Sequence, residues 1–399
     1  MLADRNFAPY FVGNLLSNCG TWLQNVAQAL LIYRLTGSTL LVGVVNFAQF
    51  AGVVLLAPWS GAAADRFDRR RLVIAMQLGA MAVTGVLAAT EAAGRASVPV
   101  VVGLALVLGC TTAFATPAIQ ALLPSLVSRE DVGAAVAMNS VTFNLARAVG
   151  PAAGALIVAR LGVASAFAIN SLSYAALIGA LLVIRPAPQG PPPAGGPPRL
   201  RDSLRLLRDA PMLAVLLGVV AAVSVTVDPV TTLAPAFATR IFGRPDTVAG
   251  YLVSAFGAGA VAASFLPARA PDRANLAAGL RSILPPLAVL VAGGVGFALA
   301  PTLAVALGAL AVAGGGFLTA QTRATALLQL GVSDGERGRV MALWSVAFLG
   351  SRPLASLADG ALATLAGPRA AALALCLPAA AALALLTART RRKGERAGG

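Results

Sequence analysis

Histidine does not occur in this 399-residue chain. Its absence removes the imidazole proton relay, the usual zinc ligand and the Ser-His-Asp triad in its common form. Charge is also scarce. Only 11% of residues are charged, against about 25% in a soluble domain. The three cysteines, Cys19, Cys110 and Cys376, all fall in apolar stretches. Their spacing fits neither a disulfide framework nor a metal site, so they are expected to be small packing residues. The Gly-rich segments at Gly257 and Gly314 carry no P-loop Lys-Ser/Thr, which argues against an ATP-driven pump. No cofactor, no metal and no enzymatic activity are expected. The first apolar run is too long for a cleavable signal peptide and lacks a basic leader, so none is expected.

What the chain has in abundance is apolar surface. Hydrophobic residues make up 58%, and the mean hydropathy is +0.82. There is too little polar surface to coat a globule of this size, so the solvent must be lipid. The net charge of +15 does not imply nucleic acid. The basic residues form no single patch; they are spread through the short connections between apolar runs, as orientation in a membrane requires.

Those runs lie at roughly 8–33, 38–64, 72–92, 98–121, 133–159 and 163–184, then 211–238, 247–267, 275–298, 302–325, 338–364 and 368–388. Each is long enough to span a bilayer as helix. The expected fold is an all-α membrane protein with twelve transmembrane helices in two pseudo-symmetric six-helix bundles. The expected domains are 1–185, a Pro/Gly-rich linker at 186–210, a second bundle at 211–388 and a basic tail at 389–399. With the N-terminus inside, the inner segments hold 20 Lys/Arg and the outer segments 6. That bias puts both termini and the linker in the cytoplasm. The halves repeat in one orientation: Asp65-Arg66 recurs as Asp272-Arg273, and the fourth and fifth helices match at an offset of 203. A parallel repeat about an axis along the membrane normal is the arrangement of major-facilitator transporters.

Gly61 to Arg71, GAAADRFDRRR, is a charged run wedged between two long apolar runs. Gly61-x-x-x-Asp65-Arg66-x-x-Arg69-Arg70-Arg71 resembles the signature loop between helices 2 and 3 of the major facilitator superfamily. SNCGTWLQNVAQALLIYRLTGS, ALLPSLVSREDVGAAVAMNS and FNLARAVGPAAGAL resemble the bacterial branch that includes enterobactin and macrolide exporters. Asp68 stands where many members have Gly, and the fourth helix lacks the Arg that many proton-coupled members carry. The resemblance implies that the loop latches the cytoplasmic side. Gly61, Asp65, Arg66, Arg69, Arg70, Asp272 and Arg273 are therefore gating candidates; the alternative is that the arginines only enforce orientation. Arg147-x-x-Gly150-Pro151-x-x-Gly154 resembles the Gly-Pro motif of antiporters in the superfamily, a bend that closes the outer side. Arg352-Pro353 echoes it without the glycines.

Asn14, Asn18, Thr21, Asn25 and Gln28 step by 4, 3, 4 and 3 and share one helix face. They line a substrate cavity or act as polar glue between helices; the resemblance implies the cavity. Gln49, Asn139, Asn144 and Trp344 are further substrate-binding candidates. Asp228 and Asp359 are the only carboxylates well inside the spans. A charge there costs about 2.5–3.5 kcal/mol on insertion scales, so each is a functional candidate. With no histidine, a transported proton would use a carboxylate, with Arg147 as partner. Asp228 could instead pair permanently with an arginine or cap a break at Pro229.

The expected function is secondary active export of an amphipathic or hydrophobic small molecule, such as a drug, siderophore or secondary metabolite, by proton antiport and alternating access. The alternatives are import of a small polar solute by proton symport and a non-transporting receptor or scaffold. The expected partners are substrate, protons and membrane lipid, with no nucleic acid. The protein is expected as a monomer in the bacterial cytoplasmic membrane.

Overall fold

The computed structural model describes residues 4–128, 130–186, 207–208, 210–265, 276–332 and 334–397. Asp272, Arg273 and most of the linker lie outside them.

The first half folds as six helices: α1 (Phe7–Thr36), α2 (Thr39–Arg66), α3 (Arg69–Ala92), α4 (Val98–Leu122), α5 (Val132–Leu161) and α6 (Val163–Val183). Local chemistry sets their ends. Asp4 Oδ1 accepts from the N–H groups of Asn6 and Phe7 ahead of α1, at 2.8 and 2.9 Å. Gly37 ends α1 at φ +65°, where a Cβ would be strained, and Ser38 caps α2. The charged stretch resolves into three parts. Gly61–Arg66 ends α2, Phe67 and Asp68 form the turn, and Arg69–Arg71 begins α3. Asp68 Oδ1 accepts from the Arg71 N–H at 2.7 Å, an N-cap that glycine could not make.

The second half contains α7 (Pro211–Thr226), α8 (Pro229–Thr232), α9 (Val248–Ser264), α10 (Leu276–Leu299), α11 (Leu303–Leu330), α12 (Asp334–Leu349), α13 (Ser351–Ala366) and α14 (Pro368–Ala397). Two expected continuous spans are broken. Pro229 has no N–H to give to Val225; the Asp228 N–H takes that carbonyl instead, at 3.2 Å, and α7 stops. After α8 comes a π-helical turn, Phe237–Ile241. The run at 338–364 divides at Gly350. The residue before it, Leu349, is the one whose carbonyl would take the N–H that Pro353 lacks.

Among the described residues, nine helices are long and apolar enough to cross a membrane. α1 is not one of them, since its Asn, Thr and Gln stripe lowers its hydropathy. α9 is shorter, and the span of α12 and α13 is split.

The chain forms two compact units. One takes the first-half helices together with Pro235–Ser254; the other takes the rest of the second half. The twenty-residue transfer departs from the boundary expected at 211. In the first unit, Phe7, Tyr10, Leu177, Leu181 and Ile184 are packed with Leu122, Leu123 and Leu126.

Candidate functional site

In the second unit the two intramembrane acids lie on facing elements, Asp228 at the break between α7 and α8 and Asp359 within α13. Asp228 sits between α7 and α8 and is 5% exposed; Asp359, on α13, is 0% exposed. Asp228 Oδ2 accepts from Thr232 Oγ1 and Ser356 Oγ, both at 2.8 Å. No donor among the described residues reaches either oxygen of Asp359. Asp359 lies one turn beyond Ser356, the donor to Asp228, so the two carboxyls sit on one side of α13. Two carboxylates are both acceptors, so a bond between them requires one proton on the pair. Arg352, at the start of α13, interacts electrostatically with Asp228, and its guanidinium lies 4.9 Å from the ring centre of Phe348. A proton acceptor, a second carboxyl and a fixed cation thus share one dry site.

Arg147, the expected partner of these acids, belongs to the first unit. It is buried on α5 in the first unit, 5.5 Å from the ring centre of Trp22. Arg352, its echo in the second half, is the arginine beside the acids. The paired Arg-Pro signal in the sequence pointed to it, but the missing glycines made it the weaker copy.

Gly150 and Gly154 set α5 directly against α1. A Cβ on Gly150 would lie 2.8 Å from the Cys19 carbonyl oxygen, and one on Gly154 3.0 Å from that of Leu23. Pro151 lies inside α5 without ending it. The N–H of Ala152 goes to Ser254 Oγ at 2.8 Å. Gly61 makes no such approach: a Cβ there would meet nothing within 4 Å. α2 closes instead on α4, where a Cβ on Gly109 would fall 2.0 Å from the Gln49 carbonyl oxygen.

The polar stripe of α1 divides between two neighbours. Asn14 Nδ2 donates to Asn139 Oδ1 at 2.9 Å, and Tyr10 donates to the same oxygen at 3.1 Å. Asn18 donates back to Asn14, and Thr21 to the Ser17 carbonyl. Further along, Gln28 donates to Gln49 at 3.2 Å, and Gln49 to Asn25 at 3.3 Å. Most of the stripe is thus engaged as polar glue joining α1 to α5 and α2, with Asn18, Thr21 and Asn25 still partly exposed. Asn144 bonds only within its own helix, to the Ser140 carbonyl. Sequence reasoning missed Gln24, which accepts from Asn170 of α6 inside the unit.

In the signature stretch, Asp65 and Arg66 are exposed at the end of α2. Arg69 donates to the Ala121 carbonyl at 3.1 Å, at the end of α4. Arg70 donates to the carbonyls of Leu181 and Leu182, at 2.5 and 2.8 Å, at the end of α6. These carbonyls have no intrahelical partner, so the two arginines tie three helix ends together.

A broken helix carrying a buried acid, opposite a second broken helix carrying another, is a transporter-like arrangement. A family model described as "Transmembrane secretion effector" matches residues 1–396. The chain belongs to this family of major facilitator transporters. Among its curated relatives, the staphyloferrin A transporter of Staphylococcus aureus is 27% identical over 166 residues, 41% of this chain and 42% of that protein. An uncharacterised major-facilitator-type transporter of Bacillus subtilis, YfiS, is 25% identical over 61% of this chain and 59% of its own length. The matched regions therefore span between two fifths and three fifths of these relatives. Among solved structures, a point mutant of the nucleoside transporter NupG superposes with a TM-score of 0.76 at 12% identity, covering 96% of this chain and 99% of that one. The human organic anion transporter MFSD10 gives 0.70 at 17%, covering 96% and 99%. At these identities the likeness is one of fold: the all-α major facilitator fold, in a multi-pass membrane protein.

Proposed function

We propose that this protein exports an amphipathic or hydrophobic small molecule by alternating access, driven by protons moving inward. The observation that carries the reading is the Asp228–Asp359 pair. Intramembrane carboxylates are costly and are retained where they relay ions. One proton on the pair lets the two carboxyls bond; its release leaves two negative charges in one buried site. The two states therefore differ in charge beside the break at Pro229. A local electrostatic change at a bistable element is what alternating access requires. Gly150, Pro151 and Gly154 serve in this reading as the packed pivot of α5 on α1. Asp65 and Arg66, with Asp272 and Arg273, serve as the cytoplasmic latch. The name of the staphylococcal relative adds siderophores to the substrate classes worth testing.

The test is transport in proteoliposomes under an imposed pH gradient, with a library of amphipathic compounds. Asp228→Asn and Asp359→Asn are each expected to abolish gradient-driven accumulation while substrate counterflow continues. Gradient-driven transport that survives both substitutions refutes the coupling assignment. A library in which no compound moves refutes export of this substrate class.

A further inference from the structure

A second cluster in the same unit shares only Arg352 with the proton reading. Phe317, Gln321 and Thr325 stand one turn apart along α11. Trp344, Phe348 and Arg352 stand one turn apart along α12 and the start of α13. The two rows meet. Trp344 Nε1 donates to Thr325 Oγ1 at 2.9 Å, which fixes the indole plane. Phe317 and Phe348 stack with ring centres 6.4 Å apart and 29° between planes. Trp344 and Phe348 stack at 5.1 Å and 23°, and the flat guanidinium of Arg352 continues the ladder beyond Phe348.

Gln321 lies between the two contacting positions on α11, so the helical period turns its side chain to the same face. It is only 8% exposed, and neither its amide nitrogen nor its amide oxygen has a partner among the described residues. A buried amide with nothing to bond is a penalty that folded proteins rarely retain. A guanidinium and an unsatisfied carboxamide on one face also exclude hydrocarbon as its surroundings. Trp344 and Phe348 are only partly buried, so the rings remain accessible beside the amide.

We propose that Trp344, Phe348, Arg352 and Gln321 form a binding subsite for a flat, conjugated ring system carrying a hydrogen-bond acceptor and donor side by side on one edge, as in a lactam. The ring stacks along the Trp344–Phe348 ladder, and Arg352 contributes its planar face. Gln321 donates from its amide nitrogen to the ligand carbonyl and accepts the ligand N–H at its amide oxygen. The inference rests on the transport reading, since the occupant is the cargo.

The test uses the purified full-length chain in detergent, with Trp22→Phe and Trp59→Phe leaving Trp344 as the sole tryptophan. The probe is phenanthridinone, a planar three-ring lactam; its N-methyl derivative keeps the rings and loses the donor. Saturable quenching of Trp344 by phenanthridinone is expected. Gln321→Leu should weaken it roughly tenfold or more, the loss expected for two hydrogen bonds. The N-methyl compound keeps only the carbonyl acceptor, so it should bind more weakly and lose less than the lactam does on Gln321→Leu. The leucine variant should unfold at the same temperature as the parent or higher, because an unsatisfied amide has been removed. Absence of saturable quenching, or equal affinity of both compounds for both proteins, overturns the subsite. Transport is scored separately in proteoliposomes. A library that moves while phenanthridinone binding ignores Gln321 sinks the subsite alone. Gln321-dependent binding with no compound moving supports the subsite and refutes transport.

Discussion

Replacing Arg70 by methionine should loosen the cytoplasmic-loop end of the first unit, and replacing its neighbour Arg71 should not. The two substitutions remove the same charge from the same turn, so any effect on membrane orientation is shared. They differ in what the side chain holds. Arg70 donates to Leu181 and Leu182 at the end of α6. The Arg71 side chain is exposed, and only its backbone is bonded, to the Asp68 cap. A hydrogen bond involving a charged group contributes about 1.5–3 kcal/mol when sheltered. One of the two Arg70 bonds is exposed, so about 2 kcal/mol is the reasonable total after screening. In a unit of this size, each kcal/mol moves the midpoint by about 2–4 °C, which gives a fall of roughly 4–8 °C. A thiol-reactive dye reads this directly. Cys19 and Cys110 lie in α1 and α4 of the same unit, and Cys376→Ala removes the buried thiol elsewhere. Thermal unfolding in detergent is compared at one scan rate. If Arg70→Met and Arg71→Met unfold within about 1 °C of each other, the helix-end tie is not stabilising, and the arginines act only in orientation or gating.

Two further outcomes follow from packing and charge. Gly154→Leu should sharply reduce folded protein, because the first side-chain carbon already meets the Leu23 backbone at 3.0–3.1 Å and the remaining atoms would force α5 off α1; normal yield and melting temperature would show that this contact is slack. Arg34 grips Asp246 through two hydrogen bonds, at 2.5 and 2.9 Å, but its side chain is 40% exposed. A double-mutant cycle with Arg34→Gln and Asp246→Asn should therefore give a coupling of only about 0.5–1 kcal/mol that shrinks in high salt; a salt-insensitive coupling contradicts that account.

The all-α fold and membrane class were legible in the sequence because they depend on long apolar runs, which the bilayer makes obligatory; the breaks within the runs at 211–238 and 338–364 were not. The pairing of Asp228 with Asp359 was not legible. Each acid was visible as an isolated anomaly, but their approach depends on how α13 packs on the α7–α8 break, where Ser356 donates to Asp228, and no local pattern encodes that. Arg147 carries the fuller motif, yet its glycines serve the α1–α5 contact. Periodicity correctly put Asn14, Asn18, Thr21, Asn25 and Gln28 on one face. It could not say whether that face would meet water or the amides of Asn139 and Gln49, since both partners satisfy the same pattern.

The transfer of Pro235–Ser254 into the first unit has a consequence for synthesis. Asp246, the partner of Arg34, lies in that segment. So do Thr239, which bonds Tyr33 at 3.0 Å, and Ser254, which receives the Ala152 N–H. The first unit therefore cannot be completed when its own six helices have left the ribosome. It waits for twenty residues translated after α7 and α8 have already begun the second unit. Its last contacts arrive only on that return stretch of chain, so the two units mature in an interleaved order rather than one after the other.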